Sequence, residues 1–159
     1  MNKRHFIVIG VVLALIEIYF ANVVHINGSA PNITVVYLIM LALSKGNEDS
    51  LLASLFTGAV LDIFFYGNIG LITIFYVIST YIVGYNRHYF FSSNLNIVLT
   101  FVGVVSVAME GYLLFSSFIF LNMPTIFNVY FFAGKVVYNL VIALLFFFIS
   151  KLNWKKAIQ

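Results

Sequence analysis

The chain has 159 residues, of which 63% are hydrophobic and 8% charged, with a mean hydropathy of +1.07. A soluble domain is about 45–50% apolar and about 25% charged, and one of this size still exposes a large share of its area, so water is excluded as the main solvent. The formal net charge of +3 does not indicate nucleic acid, because the basic residues sit singly or in short clusters beside hydrophobic runs, and the absence of cysteine excludes disulfides, thiolate metal sites and a cysteine nucleophile.

Lys3 and Arg4 precede an apolar run, Phe6–Val24, that predicts a first helix over about residues 6–24. The run is longer than a leader core and Glu17 interrupts it, so a retained helix is favoured over a signal peptide cleaved near Gly28-Ser29-Ala30. An uncharged loop follows from His25 to Ala30. Pro31-Asn32 opens a second helix, about 31–44, where the missing proline N–H costs little. That helix is short for a full crossing of about 20 residues, so it is expected to be tilted, broken or re-entrant if it does not span.

The loop Lys45–Ser50 is the most charged, and Asp49 or Ser50 is expected to cap a third helix, about 50–66. The turn at Tyr66-Gly67-Asn68 leads into a fourth helix, about 69–84, and Gly67 and Gly70 flank a reversal tight enough to need positive φ. Asn86-Arg87-His88 marks the next loop, ringed by the headgroup-zone aromatics Tyr85, Tyr89, Phe90 and Phe91. A fifth helix is predicted over about 96–121. Asn122-Met123-Pro124 turns the chain into a sixth, about 128–150, ahead of a tail carrying Lys151, Lys155 and Lys156.

The expected fold class is therefore all-α: a polytopic transmembrane bundle of about six helices forming a single domain over 1–159. Six crossings place Lys3, Arg4, Lys45, Arg87, Lys151, Lys155 and Lys156 on one side and no Lys or Arg on the other. This asymmetry predicts that both termini are cytoplasmic.

Four ionisable residues fall inside predicted helices: Glu17, Asp62, Glu110 and Lys135. Each costs at least about 2.5–3.5 kcal/mol at the bilayer centre, so they should face protein or a wet cavity. A rise of 1.5 Å per residue puts Glu17 and Lys135 roughly 10 Å, and Asp62 roughly 6 Å, from the outer helix ends, with Glu110 nearer the midplane. These depths leave an ion-paired cluster of the four geometrically possible, and because three acids outnumber one base at least one carboxyl is expected to be protonated or bonded to hydroxyl and amide groups. Each group sits on a stripe of small or polar residues: Gly10, Ala14, Glu17 and Ala21; Ser54, Gly58 and Asp62; Thr100, Gly103, Ser106 and Glu110; Lys135 and Asn139. Small residues allow close helix approach, so these stripes are the expected inner faces. The buried polar set Glu17, Asp62, Glu110, Lys135 and Asn139 either locks helices and partners together or lines a path for ions or solute.

The remaining candidates are weak. His5, His25 and His88 lie at predicted interfaces, far apart, with no pair at helical ligand spacing. No G-x-S-x-G marks a serine nucleophile. No cofactor, metal site or catalytic residue is expected. The 18 Phe and 10 Tyr read as lipid-facing bulk and interface anchors.

Pro31-Asn32 opening a short apolar helix, then a short charged loop, then Gly58-Ala59-Val60-Leu61-Asp62, then Gly67-Asn68-Ile69-Gly70-Leu71 together resemble the rod shape-determining family MreD. The motif covers Pro31 to Leu71, while length, six-helix layout and basic tail extend the likeness over the whole chain. The sequence departs at Asn32, where many members carry aspartate, leaving one fewer charge near the outer surface. The resemblance implies a non-enzymatic scaffold of cell elongation and lateral peptidoglycan synthesis in the bacterial inner membrane. Its implied partners are MreC (a membrane-anchored coiled-coil protein), MreB filaments, the glycosyltransferase RodA with its transpeptidase, and membrane lipid. Partner contacts do not carry over residue by residue, because only Pro31, Gly58, Asp62, Gly67 and Gly70 match motif positions.

Two other functions share the architecture. The substrate-capture subunit of an energy-coupling-factor vitamin transporter is also a six-helix protein, but it usually carries A-x-x-x-A in its first helix where this chain has Gly10-x-x-x-Ala14. A small ion or proton channel would rest on Glu17, Asp62, Glu110 and Lys135 alone.

Overall fold

A computed structural model describes residues 3–23, 31–66, 70–87, 94–120 and 129–156. Six α-helices run in chain order: α1 (Lys3–Val23), α2 (Ile33–Lys45), α3 (Asn47–Leu61), α4 (Leu71–Asn86), α5 (Leu95–Phe120) and α6 (Val129–Lys156). A π-helical turn, Asp62–Tyr66, continues α3, and there is no strand among the described residues. Among the described residues two stretches are long and apolar enough to cross a membrane, Leu95–Ser116 in α5 and Phe132–Ile149 in α6.

The shortest helix is the most enclosed. α2 has 13 residues, about 20 Å at 1.5 Å per residue, which is less than the roughly 30 Å of a hydrocarbon core. It packs against α1, α3, α4, α5 and α6. Its buried residues, Val35, Val36, Leu38, Ile39, Leu41, Ala42 and Leu43 among them, cover most of its circumference, leaving a less buried face at Tyr37, Met40 and Ser44. The long helices lie outside it, and their outward residues are large and apolar: Val104 and Phe115 on α5, Val137 and Leu145 on α6.

α3 and α4 approach so closely because small residues line their seam. A Cβ on Gly58 would stand 2.6 Å from the Cα of Thr73, too near for both backbones to stay in place. Midway along, the Thr80 hydroxyl donates to Ser54 Oγ at 3.2 Å. At the other end Gly84 lies against Asn47. The seam thus runs antiparallel from Gly58/Thr73 to Asn47/Gly84. On the opposite flank of α3, Gly10 of α1 lies against Thr57.

Several predicted boundaries move. The third helix starts at Asn47 rather than 50, and neither Asp49 nor Ser50 caps it. Gly46 ends α2 and begins α3 at once, with φ +85, and no side chain caps the new helix. Ser50 instead turns its hydroxyl back to the Gly46 carbonyl at 2.7 Å. The fourth helix starts at Leu71, after Gly70 with φ +116, and the sixth continues to Lys156 rather than stopping near 150. Gly67 lies outside the described residues.

Candidate functional site: the polar knot at the start of helix α2

A helix beginning away from water must find acceptors for its first N–H groups within the protein. Three side chains do this for α2. The Asn32 side chain caps it, accepting from the Val35 N–H at 2.9 Å. Glu17 on α1 accepts from the Thr34 N–H at 2.9 Å. Asn139 on α6 accepts from the Asn32 N–H at 2.8 Å. A carboxylate here also meets the positive end of the helix dipole.

The cap extends into neighbouring helices. Tyr76 on α4 donates its hydroxyl to Asn32 Oδ1 at 3.1 Å, and the Asn32 amide donates to Met109 Sδ on α5 at 3.6 Å. The Asn139 amide donates to Ser106 Oγ on α5 at 2.9 Å. One helical turn away, Lys135 and Glu110 pair at 3.1 Å. Ser106/Asn139 and Glu110/Lys135 are therefore successive rungs between antiparallel α5 and α6, one turn apart on each helix. The knot joins α1, α2, α4, α5 and α6 through groups that are mostly buried: Glu17, Thr34, Tyr76, Ser106 and Asn139.

Asp62 stands apart from it. The residue is fully buried at the start of the π turn. Its carboxylate accepts from the N–H groups of Gly70 at 2.9 Å, Ile72 at 2.7 Å and Thr73 at 3.1 Å, and from the Thr73 hydroxyl at 2.6 Å. Asp62 thus caps α4 from the preceding helix. Four donors around one carboxylate make burial of its charge tolerable.

The four ionisable groups fall into three arrangements rather than one ion-paired cluster, with Glu17 still within electrostatic reach of Lys135. Glu17 and Asp62 each serve a helix N-terminus, and Glu110 and Lys135 pair with each other, their side chains 19% and 32% exposed. Among the stripes, Gly10, Ala14 and Glu17 are buried together, as are Ser54, Gly58 and Asp62. The side chain of Ala21 lies outside the described residues. Thr100 leaves its stripe: it is exposed and bonds its own helix at Asn96, while Val98, Val102, Val105, Ser106 and Met109 form the inner face of α5. Pro31 immediately precedes the cap residue Asn32, and Gly70 is the cap position of α4.

Thr34, Thr73, Tyr76, Thr80, Gly84 and Met109 were not singled out by the sequence. Thr73, Thr80 and Gly84 follow helical spacing on one face of α4, a small-residue pattern like those recognised on α1 and α3. Tyr76 and Met109 carry no such signal, since each matters through a residue on another helix.

No group of three or more His, Asp or Glu side chains able to hold a metal occurs among the described residues. A family model described as rod shape-determining protein MreD matches residues 4–156. No curated protein and no solved structure matches the chain.

Proposed function

This chain belongs to the MreD family of rod shape-determining proteins, and from that membership we propose that it is a multi-pass scaffold of the bacterial inner membrane that binds an MreC-like bitopic partner. On this reading six helices cross the bilayer with both termini in the cytoplasm. The protein positions the elongation machinery (MreB, RodA and its transpeptidase) for lateral peptidoglycan synthesis without catalysing a step itself.

The observation that carries the reading is the family match over nearly the whole chain. The use made of the intramembrane polar groups supports it. Glu17, Asp62 and Asn139 spend their acceptors on backbone N–H groups of other helices, and Lys135 and Glu110 neutralise each other. Groups committed in this way hold helices in register. The partly exposed Glu110–Lys135 pair and the knot beside it offer a partner's membrane segment a polar contact within an otherwise apolar surface.

The test is affinity purification from mild detergent together with depletion in the source cell. The expected result is co-purification of a single-span coiled-coil protein and rounding of depleted cells. Normal shape after clean deletion overturns the reading. Ion flux through liposomes holding the purified protein, lost in Glu110→Gln, would move the assignment to a channel.

A further inference from the structure

A second charged feature among the described residues is a cleft of about 530 Å³, lined by Lys3, Lys45, Asn47, Glu48, Asp49, Gly84, Tyr85 and Arg87. It lies where the start of α1, the α2–α3 link and the end of α4 meet. The volume falls within the range of small-ligand sites, about 300–1,000 Å³.

Its charges do not cancel within the fold. Lys3 and Glu48 pair at 2.8 Å. That leaves Lys45, Arg87 and Asp49. Among the described residues no ion pair or hydrogen bond engages Lys45 or Arg87. The Arg87 guanidinium is set across Gly46, at a place where a Cβ would stand 2.5 Å from Nη1. On the other side of the account, Asp49 Oδ1 and Asn47 Oδ1 are buried acceptors with no partner among the described residues. Orphaned buried acceptors are uncommon in folded proteins and point to a missing donor.

A ligand that completes this set carries an anion for Lys45 and Arg87 and an N–H donor for Asp49, since Asn47 Oδ1 is closed off by Gly84. Its neighbourhood adds a third property. Large apolar side chains on the outer faces of α3 and α4, Leu52 and Leu55 with Ile78 and Ile82, are exposed along the helices that bear the cleft. Tyr85 stacks with Tyr81 at 6.2 Å in the manner of an interfacial anchor. A phosphate, a protonated amine and acyl chains occur together in one class of molecule. We propose that the cleft holds the phosphoethanolamine headgroup of a membrane phospholipid, with its phosphate between Lys45 and Arg87, its ammonium at Asp49, and its chains along α3 and α4.

An anionic glycerol lipid would satisfy the two cations but bring Asp49 only neutral hydroxyl donors, without the charge-assisted bond of an ammonium. An acidic peptide would meet Glu48 and Asp49 as like charges. The proposal requires this end of the helices to lie at a membrane surface and is independent of which protein partner is bound.

The test is native mass spectrometry of the delipidated full chain in detergent, titrated separately with phosphatidylethanolamine, phosphatidylglycerol, free phosphoethanolamine and inorganic phosphate. The expected result is at least tenfold tighter retention of phosphatidylethanolamine than of phosphatidylglycerol. Lys45→Ala/Arg87→Ala should reduce retention of both lipids, and Asp49→Asn should erase the preference between them. Lys45→Ala alone, at an exposed position, should weaken binding while leaving helix content by circular dichroism unchanged. Equal retention of the two lipids, unchanged retention in these variants, or full displacement by free phosphoethanolamine at matched concentration overturns the proposal.

Discussion

Asp62 shows how one buried carboxylate can be structural through and through. Asp62→Asn keeps one oxygen for the cap but turns an acceptor edge into a donor facing N–H groups. A loss of about 2–3 kcal/mol is expected, read as a lower Tm in detergent, with a larger loss for Asp62→Ala. Glu17→Gln should be milder, since it keeps an oxygen for the Thr34 N–H at 2.9 Å, whereas Glu17→Ala leaves that group unpaired at about 1–3 kcal/mol. Thr57 gives the opposite case. Its hydroxyl is buried against Gly10 with no hydrogen-bond partner among the described residues. Thr57→Val, nearly the same shape, should therefore be neutral or raise Tm slightly. At this scale the sequence was a good guide to which residues are buried and a poor guide to what they bond. Asp62 stood out as an intramembrane acid. Its partners eight to eleven residues on lie across a chain reversal, and no spacing rule reaches over one.

The elements fit by small residues rather than by matched pattern. Gly58→Ala would drive a Cβ to 2.6 Å from the Thr73 backbone, so α3 and α4 must part. A destabilisation of about 1–3 kcal/mol follows, measurable as a lower Tm, and it should be non-additive with Asp62→Asn because both act on the start of α4. The stripe Ser54, Gly58, Asp62 was legible because its spacing repeats. Thr73, Thr80 and Gly84 were equally regular but lie among larger apolar residues that also fit a lipid-facing surface. The second helix looked too short to cross, and the sequence offered tilting or re-entry as explanations. In the structure its first N–H groups find Glu17, Asn32 and Asn139, so protein side chains rather than water satisfy that end.

For the molecule as a whole, the charge asymmetry read from sequence has a spatial counterpart, since Lys3, Lys45 and Arg87 come together around one cleft. The Lys3–Glu48 pair there raises the lysine pKa and lowers the glutamate pKa, each through its hydrogen bond to the other. The glutamate contribution is complete above the ordinary carboxylate value and is lost as pH falls through the lowered one. The lysine contribution is complete below the ordinary ammonium value and is lost as pH rises through the raised one. Between about pH 6 and 9 both are present, so Tm should be flat across that window as far as this pair is concerned, and Glu48→Gln should shift it little because both groups are solvated and screened. Another consequence follows from the bond between the Asn32 N–H and Asn139, whose partners are separated by 107 positions. A ribosome delivers the second helix long before the sixth, so during synthesis that amide waits without its acceptor. In nascent chains stopped short of α6 the Asn32 N–H would lack this acceptor. The start of the second helix is thus completed only when the last helix packs against it.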